Sequence, residues 1–352
     1  MAMQRWAATG GDPEVPGPEV TVIITNHNYG RFLADAVASA RSDRQGVHMQ
    51  IVVVDDGSDD NSSQILDSME PDVRVIRQGN VGQGAAMNAG FRACGAPLVM
   101  FLDADDTLLE GTGAAVVQAF ARHPGVARVH FGLRCIDAEG EPTGQCLPEP
   151  GRSLPDGDLR ALVLSTPDDI AWQPTSGNAF AADTLRRILP MPEAPYRIAA
   201  DHYLSNLSAL LGEVRDLGRD GANYRIHGDN ADYRDRADLP SWTRRIIERT
   251  IVTHQRLHAL ADDLHLHFPD DPLSVPSVTF IANRLFSLRA DPAGHPVPVD
   301  RRFRLARAGM QATLARRDLT RARRVAGVLW FAAMAISPRR IVTPLARRVL
   351  TR

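Results

Sequence analysis

The chain contains few cysteines and lacks both a secretory signal and a long apolar run. Its three cysteines, Cys94, Cys135 and Cys146, include no Cys-x-x-Cys pair, which argues against a disulfide framework and against a structural zinc site. No stretch reaches the roughly 18 apolar residues that a membrane-spanning helix needs. We therefore expect a cytoplasmic protein without an integral membrane segment.

The usual nucleotide-binding and calcium-binding signatures are also missing. The turn after the first predicted strand reads Asn26-His27-Asn28-Tyr29-Gly30, where a dinucleotide-binding fold needs Gly-x-Gly-x-x-Gly. Neither Gly-Lys-Ser nor Gly-Lys-Thr occurs, so the chain has no P-loop lysine. The acids between residues 55 and 61 are out of register for a calcium loop. These absences disfavour the common nucleotide-binding and calcium-binding folds.

The composition is that of an ordinary globular protein. Hydrophobic residues make up 44% of the 352 residues, charged residues make up 23%, and the formal net charge is -2. A chain of this length can bury a large core without disulfides or metals to hold it. The nearly balanced charge gives no indication of a nucleic-acid partner.

Short apolar runs alternate with helical patterns over the first third of the chain. The runs occupy residues 20–25, 51–54, 73–76 and 98–102, and each is followed by a polar turn and then by apolar residues at helical spacing. Continuous apolar strands indicate burial on both faces. The pattern therefore predicts an α/β fold of the Rossmann-like type, with a mainly parallel sheet flanked by helices.

The rest of the chain gives weaker signals. Residues 127–133 alternate as a strand, residues 137–140 favour a hairpin turn, and residues 214–217 and 222–227 favour two short strands. After about residue 235 the pattern is helical. We expect a flexible leader over residues 1–18, an α/β domain over residues 19–235, and a basic helical C-terminal region over residues 236–352.

The most informative stretch is the fourth apolar run, which leads directly into Asp103, Asp105 and Asp106. Ligands of open α/β sheets bind at the carboxyl ends of the strands. Asp103 and Asp105 alternate, so both side chains point the same way if the strand continues through Ala104. A hard divalent cation that also takes phosphate oxygens suits two such carboxylates. The alternative is a solvated acidic turn.

Several motifs in order resemble those of the family 2 glycosyltransferases, which have the GT-A fold. They are Thr25-Asn26-His27-Asn28-Tyr29, Asp55-Asp56-Gly57-Ser58, Gly82 to Gly90, Asp103-Ala104-Asp105-Asp106, Thr175-Ser176-Gly177-Asn178, Ala200-Asp201-His202-Tyr203-Leu204 and Tyr224 to Asn230. The resemblance covers about residues 20–230. Each motif alone is weak, but their order is specific.

The resemblance implies a role for each matched residue. Thr25, His27, Asp56, Asn88 and Asp103 would contact the nucleotide, Asp105 and His227 would bind Mg²⁺ or Mn²⁺, Asp201 would act as the catalytic base, and Trp172, Ser176 and Asn178 would contact the donor sugar or the acceptor. Met87 stands where relatives often carry an arginine beside Asn88. A phosphate contact from that arginine is therefore lost or supplied elsewhere.

Several of these residues also have ordinary structural explanations. His27 fits a loop histidine, His227 fits a histidine with a structural role, and Trp172 fits an indole packed in the core. Asp201 fits a helix cap, a role that is compatible with catalysis. The sequence leaves these alternatives open.

The resemblance implies a metal-dependent, inverting glycosyltransferase. It would move a sugar from a nucleoside-diphosphate donor, with UDP-sugar favoured, to a hydroxyl acceptor in glycan, polysaccharide or glycoconjugate synthesis. A sugar-nucleotide pyrophosphorylase and a non-catalytic relative that binds nucleotide or glycan are the alternatives. The chain lacks the glycine- and lysine-rich phosphate loop that a pyrophosphorylase needs. A non-catalytic relative would have lost the acidic residues, which are present here.

The end of the chain is strongly basic. From Arg301 onward there are fourteen arginines and a single acid, Asp318. The apolar segment 325–336 lies between arginine pairs and is too short to span a bilayer. It suits a helix lying in the interface of an anionic leaflet, or a helix packed on the α/β domain or on a second subunit. Both alternatives remain open, and nucleic acid is not expected.

Overall fold

A computed structural model describes residues 17–43, 46–230 and 238–350. All but the last two residues of the expected leader, and the expected domain boundary near residue 235, lie outside this range. The leader and the boundary therefore stay predictions.

Nine strands of the described residues form one twisted sheet. The strands are β1 (Val20–Asn26), β2 (Met49–Asp56), β3 (Arg74–Gln78), β4 (Leu98–Asp103), β5 (Thr107–Leu108), β6 (Val126–Ile136), β7 (Pro142–Leu147), β8 (Asn178–Ala181) and β9 (Glu213–Arg225). The order β3-β2-β1-β4 is parallel throughout, because each of these strands is joined to the next by a helical crossover. The α/β prediction is confirmed.

The other half of the sheet is mixed. It continues from β4 through β8, β6 and β9 to β5, with β7 paired to β6. The two short strands expected at 214–217 and 222–227 are one strand, β9, so that prediction is wrong. Gly218 has a positive φ of 67° and the pairing with β6 shifts register there, which interrupts the sequence pattern without ending the strand.

Twelve helices in the described residues cover the sheet and form the C-terminal region. They are α1 (Gly30–Ser42), α2 (Ser62–Asp67), α3 (Gln83–Arg92), α4 (Thr112–Arg122), α5 (Arg160–Ser165), α6 (Ala182–Ile188), α7 (Asp201–Leu211), α8 (Leu239–Asp263), α9 (Val278–Ala290), α10 (Arg302–Ala315), α11 (Arg321–Ile336) and α12 (Arg339–Leu350).

Alternate residues of the central strands bury on opposite faces of the sheet. Ile23 and Phe101 belong to the core beneath α3 and α7, whereas Val22 and Leu102 belong to the core beneath α1. Both faces are therefore covered, as the continuous apolar runs predict. The polar side chains lie at the carboxyl ends of the strands.

The C-terminal helices have a core of their own. Leu285, Phe286, Phe331 and Met334 lie at its centre, where α9, α10 and α11 meet. The first of these helices, α8, also packs against α7 and so connects this region to the sheet. Across residues 17–43, 46–230 and 238–350, we find no helix with the length and apolar character needed to cross a bilayer.

Candidate active site

A cleft of about 630 Å³ lies at the carboxyl ends of β1, β2 and β4. Its walls are also formed by the first turns of α3 and α7 and by one side of α8. Six of the residues singled out in the sequence line it: Thr25, His27, Asp56, Asp103, Asp105 and Asp201. Five others, Asn88, Trp172, Ser176, Asn178 and His227, are not among the lining residues.

Asp103 lies at the end of β4, on the floor of the cleft. Thr25 donates a hydrogen bond to its Oδ1 at 3.2 Å, and Gln83 donates one to the same oxygen at 2.9 Å. Burial, followed by the negative charge of Asp105, raises the pKa of Asp103 to about 7. The carboxylates therefore repel one another here, and a cation between them would relieve the repulsion.

Asp106 points into the protein rather than into the cleft. Its carboxylate accepts hydrogen bonds from the Ser176 hydroxyl at 2.6 Å and from the Arg225 backbone N–H at 2.8 Å. Burial, followed by the charge of Asp105, raises the pKa of Asp106 well above its ordinary value. Ser176 also accepts a bond from the Asp103 N–H at 3.1 Å. Ser176 therefore holds the acidic loop, and the structure does not place it against the donor sugar.

Asp105 is supported by two side chains from the loop after β9. Nε2 of His227 lies 3.0 Å from its Oδ2, and Asn230 donates to the same oxygen at 3.4 Å. Nδ1 of His227 faces the Asp229 N–H at 3.3 Å and a guanidinium nitrogen of Arg31 at 3.3 Å. Because Nδ1 faces two donors, Nε2 carries the ring proton and donates to Asp105.

His227 itself is almost fully enclosed. Its side chain is 1% exposed, and its ring packs against Tyr29 and Phe32 at centroid distances of 5.4 and 4.8 Å. The metal contact expected for His227 is therefore replaced, in this arrangement, by a hydrogen bond that orients Asp105.

The cleft suits a cation whose ligands come partly from a bound phosphate and from water, rather than from protein side chains alone. No group of three or more His, Cys, Asp or Glu side chains in the described ranges could hold a metal ion. Both described donors to Asp105 reach Oδ2, which leaves Oδ1 for a cation. Mg²⁺ typically takes only one or two carboxylates and completes its shell with phosphate and water oxygens. Asp105, with Asp103 behind it, fits that donor set.

Asp56, at the end of β2, closes the opposite end of the cleft. Its carboxylate accepts hydrogen bonds from the backbone N–H groups of Val81 and Gly82, at 2.9 and 2.7 Å, and from Gln78 at 2.8 Å. It therefore fixes the loop that leads into α3. Each carboxylate oxygen accepts two bonds, so Oδ2 can still accept one from a ligand.

Gly82 is required where this loop meets the segment before α7. Its φ is +110°, and a Cβ on it would lie 2.5 Å from the Cα of Arg197. The Arg197 guanidinium crosses the loop and donates to the Val81 carbonyl at 2.8 Å and to Asn80 Oδ1 at 2.6 Å. A glycine is the residue that allows both the conformation and the contact.

His27 lies at the rim of the cleft beside this loop. Its Nε2 is 3.0 Å from the Asn80 side-chain nitrogen. Its Nδ1 is buried and has no hydrogen-bond partner among the described residues. An unsatisfied buried nitrogen at a cleft wall is a feature that a bound ligand can satisfy.

Asp201 is the first residue of α7 and lines the cleft. Its Oδ1 accepts a hydrogen bond from the His202 N–H at 3.0 Å, and its negative charge lies in the first turn of the helix, where the helix dipole favours it. The preceding Ala199 has a positive φ of 59°, which is strained for a residue with a Cβ. Asp201 also raises the pKa of Asp103, which places the two carboxylates within electrostatic reach of each other.

Trp172 and Asn178 hold a buried arginine beneath α7. The guanidinium of Arg128 donates to Asn178 at 2.9 Å and to Ser205 at 2.8 Å, and it lies 4.3 Å from the centre of the Trp172 ring. Burial lowers the pKa of Arg128, whereas the charge of Asp201 opposes that shift. The expected donor or acceptor contacts of Trp172 and Asn178 are thus replaced by packing around a cation.

Asn88 also has a structural role. It is 2% exposed, and its amide exchanges two hydrogen bonds with the backbone of Met191, at 2.9 and 3.0 Å. Both ends of the amide are therefore engaged, and the structure places Asn88 away from the cleft that the nucleotide was expected to occupy. Met87, in the place of the family's arginine, is fully buried.

Sequence reasoning missed several residues of the cleft. Gln83 bonds Asp103 and also accepts from the Ala200 N–H at 3.1 Å, so it joins β4 to α7. Arg197 and Arg249 bring two guanidinium groups to the wall, and Arg249 comes from α8 in the basic C-terminal region. Position in the first turn of α3 was a signal for Gln83, but no local pattern identified the two arginines.

Comparison with known proteins identifies the family that part of this chain resembles. Residues 21–145 match the family model described as glycosyl transferase family 2. An uncharacterised glycosyltransferase of Nostoc sp. is 36% identical over 216 residues, which is 60% of this chain and 66% of that protein. The chondroitin synthase of Escherichia coli is 31% identical over 126 residues, or 35% of this chain and 18% of that protein. The chain thus spans less than two thirds of these relatives.

A solved structure shares the fold. It is that of residues 1–349 of TarS from S. aureus in complex with UDP-GlcNAc, with a TM-score of 0.51 and 14% identity over 89% of this chain and 90% of that chain. The family model, the relatives and this fold confirm the resemblance found in the motifs. The chain is therefore similar to glycosyl transferase family 2 over residues 21–145, and its fold is of the GT-A type.

Proposed function

We propose that this chain is a metal-dependent, inverting glycosyltransferase that uses a UDP-sugar donor and a hydroxyl acceptor. The observation that carries the proposal is one cleft in which Asp56 at the end of β2, Asp103 and Asp105 at the end of β4, and Asp201 at the start of α7 converge. Four carboxylates in one cleft are costly to hold without positively charged partners. A cation and a diphosphate supply such partners together with the substrate.

The nucleobase is proposed to occupy the end of the cleft formed by Asp56 and His27. Oδ2 of Asp56 accepts a single bond within the described chain, from Gly82, and can accept a second from the imide N–H of uracil. His27 offers a ring face and an unsatisfied Nδ1. A carboxylate acceptor at this position favours uracil or thymine over cytosine. N3 of uracil or thymine carries a hydrogen and donates, whereas N3 of cytosine is an acceptor.

Asp105 is proposed to hold Mg²⁺ or Mn²⁺, with His227 and Asn230 fixing its carboxylate. When bound, the cation offsets the negative charge that develops on the departing nucleoside diphosphate. Arg197 and Arg249 line the same cleft. They supply the positive charge that Met87, in place of the family's arginine, does not.

Asp201 is proposed to take the proton from the acceptor hydroxyl as the new glycosidic bond forms. A sugar hydroxyl is a poor nucleophile at neutral pH, so a carboxylate beside it accelerates attack. The Arg128 guanidinium lies beneath α7 and interacts electrostatically with Asp201. One base and a direct attack give a single displacement with inversion, by the geometric reasoning used for glycosidases.

The acceptor is proposed to be a sugar, a glycan or a lipid-linked glycan. The name of the Escherichia coli relative, chondroitin synthase, supports a role in polysaccharide or glycoconjugate synthesis. The last C-terminal helices, α10 to α12, are proposed to contact a membrane surface or a second copy of the chain, whereas α8 contributes Arg249 to the cleft.

The proposal is tested by isothermal titration of the full chain with UDP, GDP, TDP and CDP, with and without Mn²⁺. We expect binding of UDP that requires Mn²⁺, and strong weakening in an Asp105→Asn variant. The matched control is Asp183→Asn, which changes an exposed acid in the first turn of α6. Absence of Mn²⁺-dependent binding for all four nucleotides would contradict the proposal, and preference for another base would overturn its donor assignment.

A further inference from the structure

Helix α11 exposes a continuous apolar face. Val325, Leu329 and Ile336 are 51%, 63% and 77% exposed, values that are high for large aliphatic side chains. At about 100° per residue, the three lie within about 40° of one another around the helix axis. Ala322, which is also exposed, lies about 20° further around the axis on the same face.

This face is not needed to attach the helix to the protein. The opposite side of α11 carries Phe331 and Met334, which are buried in the C-terminal core. Gly327 packs against Thr313 of α10, and the Trp330 indole donates to the Leu345 carbonyl of α12 at 3.0 Å. The helix is thus held on its other sides, and its outward face is apolar without a partner in the described chain.

Exposed apolar side chains are concentrated in this region. Of the ten large hydrophobic residues that are exposed in the described part of the chain, two, Val81 and Leu162, precede residue 299. The other eight are Val299, Phe303, Leu314, Val325, Leu329, Ile336, Ile341 and Val349. Scattered exposed residues need no explanation, but a concentration on neighbouring helices marks an interaction surface.

The same helices carry a dense positive charge. Ten arginines between residues 301 and 347 are exposed: Arg301, Arg302, Arg304, Arg307, Arg317, Arg321, Arg323, Arg339, Arg340 and Arg347. The single acid of this region, Asp318, is paired with Arg316, at 2.6 Å. The surface therefore combines apolar side chains with a high density of positive charge and a single acid.

We propose that α10, α11 and α12 form a docking surface for an anionic lipid bilayer. The outward face of α11 would lie among the acyl chains near the headgroups, and the arginines on either side, Arg321 and Arg323 before it and Arg340 after it, would contact lipid phosphates. The apolar stretch is too short to span but long enough to lie in the interface.

The charge pattern favours a bilayer over a second copy of the chain. A twofold dimer brings the same surface patch of each subunit together. Here that would bring the exposed arginines of both copies together without acids to neutralise them. An anionic leaflet supplies negative charge for the arginines over its whole area, and its acyl chains can cover the apolar side chains. This inference does not depend on the proposed transferase activity, because the surface shares no residue with the cleft.

The test is co-sedimentation of the full chain with vesicles of phosphatidylcholine alone and with vesicles of phosphatidylcholine and phosphatidylglycerol. We expect binding to the anionic vesicles only, with weakening as salt is raised. The double variant Leu329→Ser/Ile336→Ser should lose binding, whereas Leu162→Ser, which alters an exposed leucine on α5, should keep it.

The charge is tested separately with Arg321→Gln/Arg323→Gln. Since each basic residue near an anionic surface contributes about fivefold to the affinity, this pair should weaken binding about 25-fold. The control pair Arg92→Gln/Arg122→Gln removes two exposed arginines at the ends of α3 and α4 and should bind as the unmodified chain does. Unchanged thermal unfolding of all variants excludes a folding defect.

Three results would overturn the proposal. The first is no binding to either kind of vesicle, and the second is equal binding to neutral and anionic vesicles. The third is a dimer in analytical ultracentrifugation that Leu329→Ser/Ile336→Ser dissociates, which would identify the face as a contact between copies.

Discussion

Asp105 and His227 lie 122 positions apart in the chain, yet Oδ2 of the carboxylate and Nε2 of the ring are 3.0 Å apart. One follows β4 in the parallel half of the sheet, and the other follows β9 in the mixed half. The ring is closed in by Tyr29 and Phe32, so it cannot turn away. The hydrogen bond therefore fixes the carboxylate that is proposed to bind the cation.

Loss of this support should weaken metal binding. In His227→Ala we expect the Mn²⁺ concentration for half-maximal activity to rise about 10- to 100-fold, the usual effect of losing a side chain that orients a metal ligand. His227→Gln, which retains a donor, should recover part of the loss. The control is His123→Ala, an exposed histidine after α4. An unchanged Mn²⁺ dependence in His227→Ala would exclude this role.

Replacement of Asp201 should separate catalysis from donor binding. Asp201→Asn keeps an oxygen that can accept the His202 N–H but cannot take up the proton of a hydroxyl, so we expect kcat to fall about 100- to 10,000-fold. The Kd of the donor, from titration, should stay nearly the same. Full turnover in this variant would refute the role of Asp201 as the base.

The raised pKa of Asp103 predicts a pH dependence of stability. Its pKa rises from the ordinary value of 3.8 to about 7 in the folded chain, so folding takes up a proton between these values. Stability of the ligand-free chain should therefore fall as pH rises through that window. The free energy of unfolding in urea should decrease between about pH 5 and about pH 8, and this decrease should be smaller for Asp103→Asn than for the unmodified chain. Equal decreases would contradict the assignment.

Gly82 and Gly125 provide a matched pair of substitutions. Both have a positive φ, +110° and +90°, but a Cβ on Gly82 meets the Arg197 backbone whereas one on Gly125 meets nothing within 4 Å. We expect Gly82→Ala to lose about 1–3 kcal/mol more in the free energy of unfolding, the usual cost of overpacking. It should also weaken nucleotide binding, since Asp56 holds this loop. Equal destabilisation of Gly82→Ala and Gly125→Ala would show that the backbone at Arg197 shifts to accommodate the added methyl group.

Arg249 connects the C-terminal region to the cleft. We expect Arg249→Gln to raise the KM of the nucleotide-sugar about tenfold, since a hydrogen bond to a charged group contributes about 1.5–3 kcal/mol. The control is Arg245→Gln, one turn earlier on α8 and exposed. Similar kinetics of the two variants would indicate that Arg249 has a structural role, through its bond to the Ile198 carbonyl at 3.0 Å.

The sequence predicts the strand ends of the cleft well because they depend on local patterns. Apolar runs at 20–25, 51–54 and 98–102 became β1, β2 and β4, and the polar residues directly after them line the cleft. Parallel strands bring their carboxyl ends to the same edge, so pattern and topology together place Thr25, Asp56 and Asp103.

The partners of these residues were not predictable from local patterns. Ser176 bonds Asp106, and Trp172 covers Arg128, because the mixed half of the sheet folds against α7. Asn88 bonds Met191 because α3 packs against the segment after α6. Such contacts depend on which surfaces meet, and neither periodicity nor spacing along the chain contains that information.

The sequence by itself determined the α/β alternation, the acidic end of β4 and the basic, apolar end of the chain, because each follows from residue types at short range. Tertiary structure alone decided that Asp106 faces inward while Asp105 faces the cleft, and that Arg249 of α8 joins the same wall. A side chain's burial and charge environment depend on elements distant in the chain, and these become fixed only when the elements pack together.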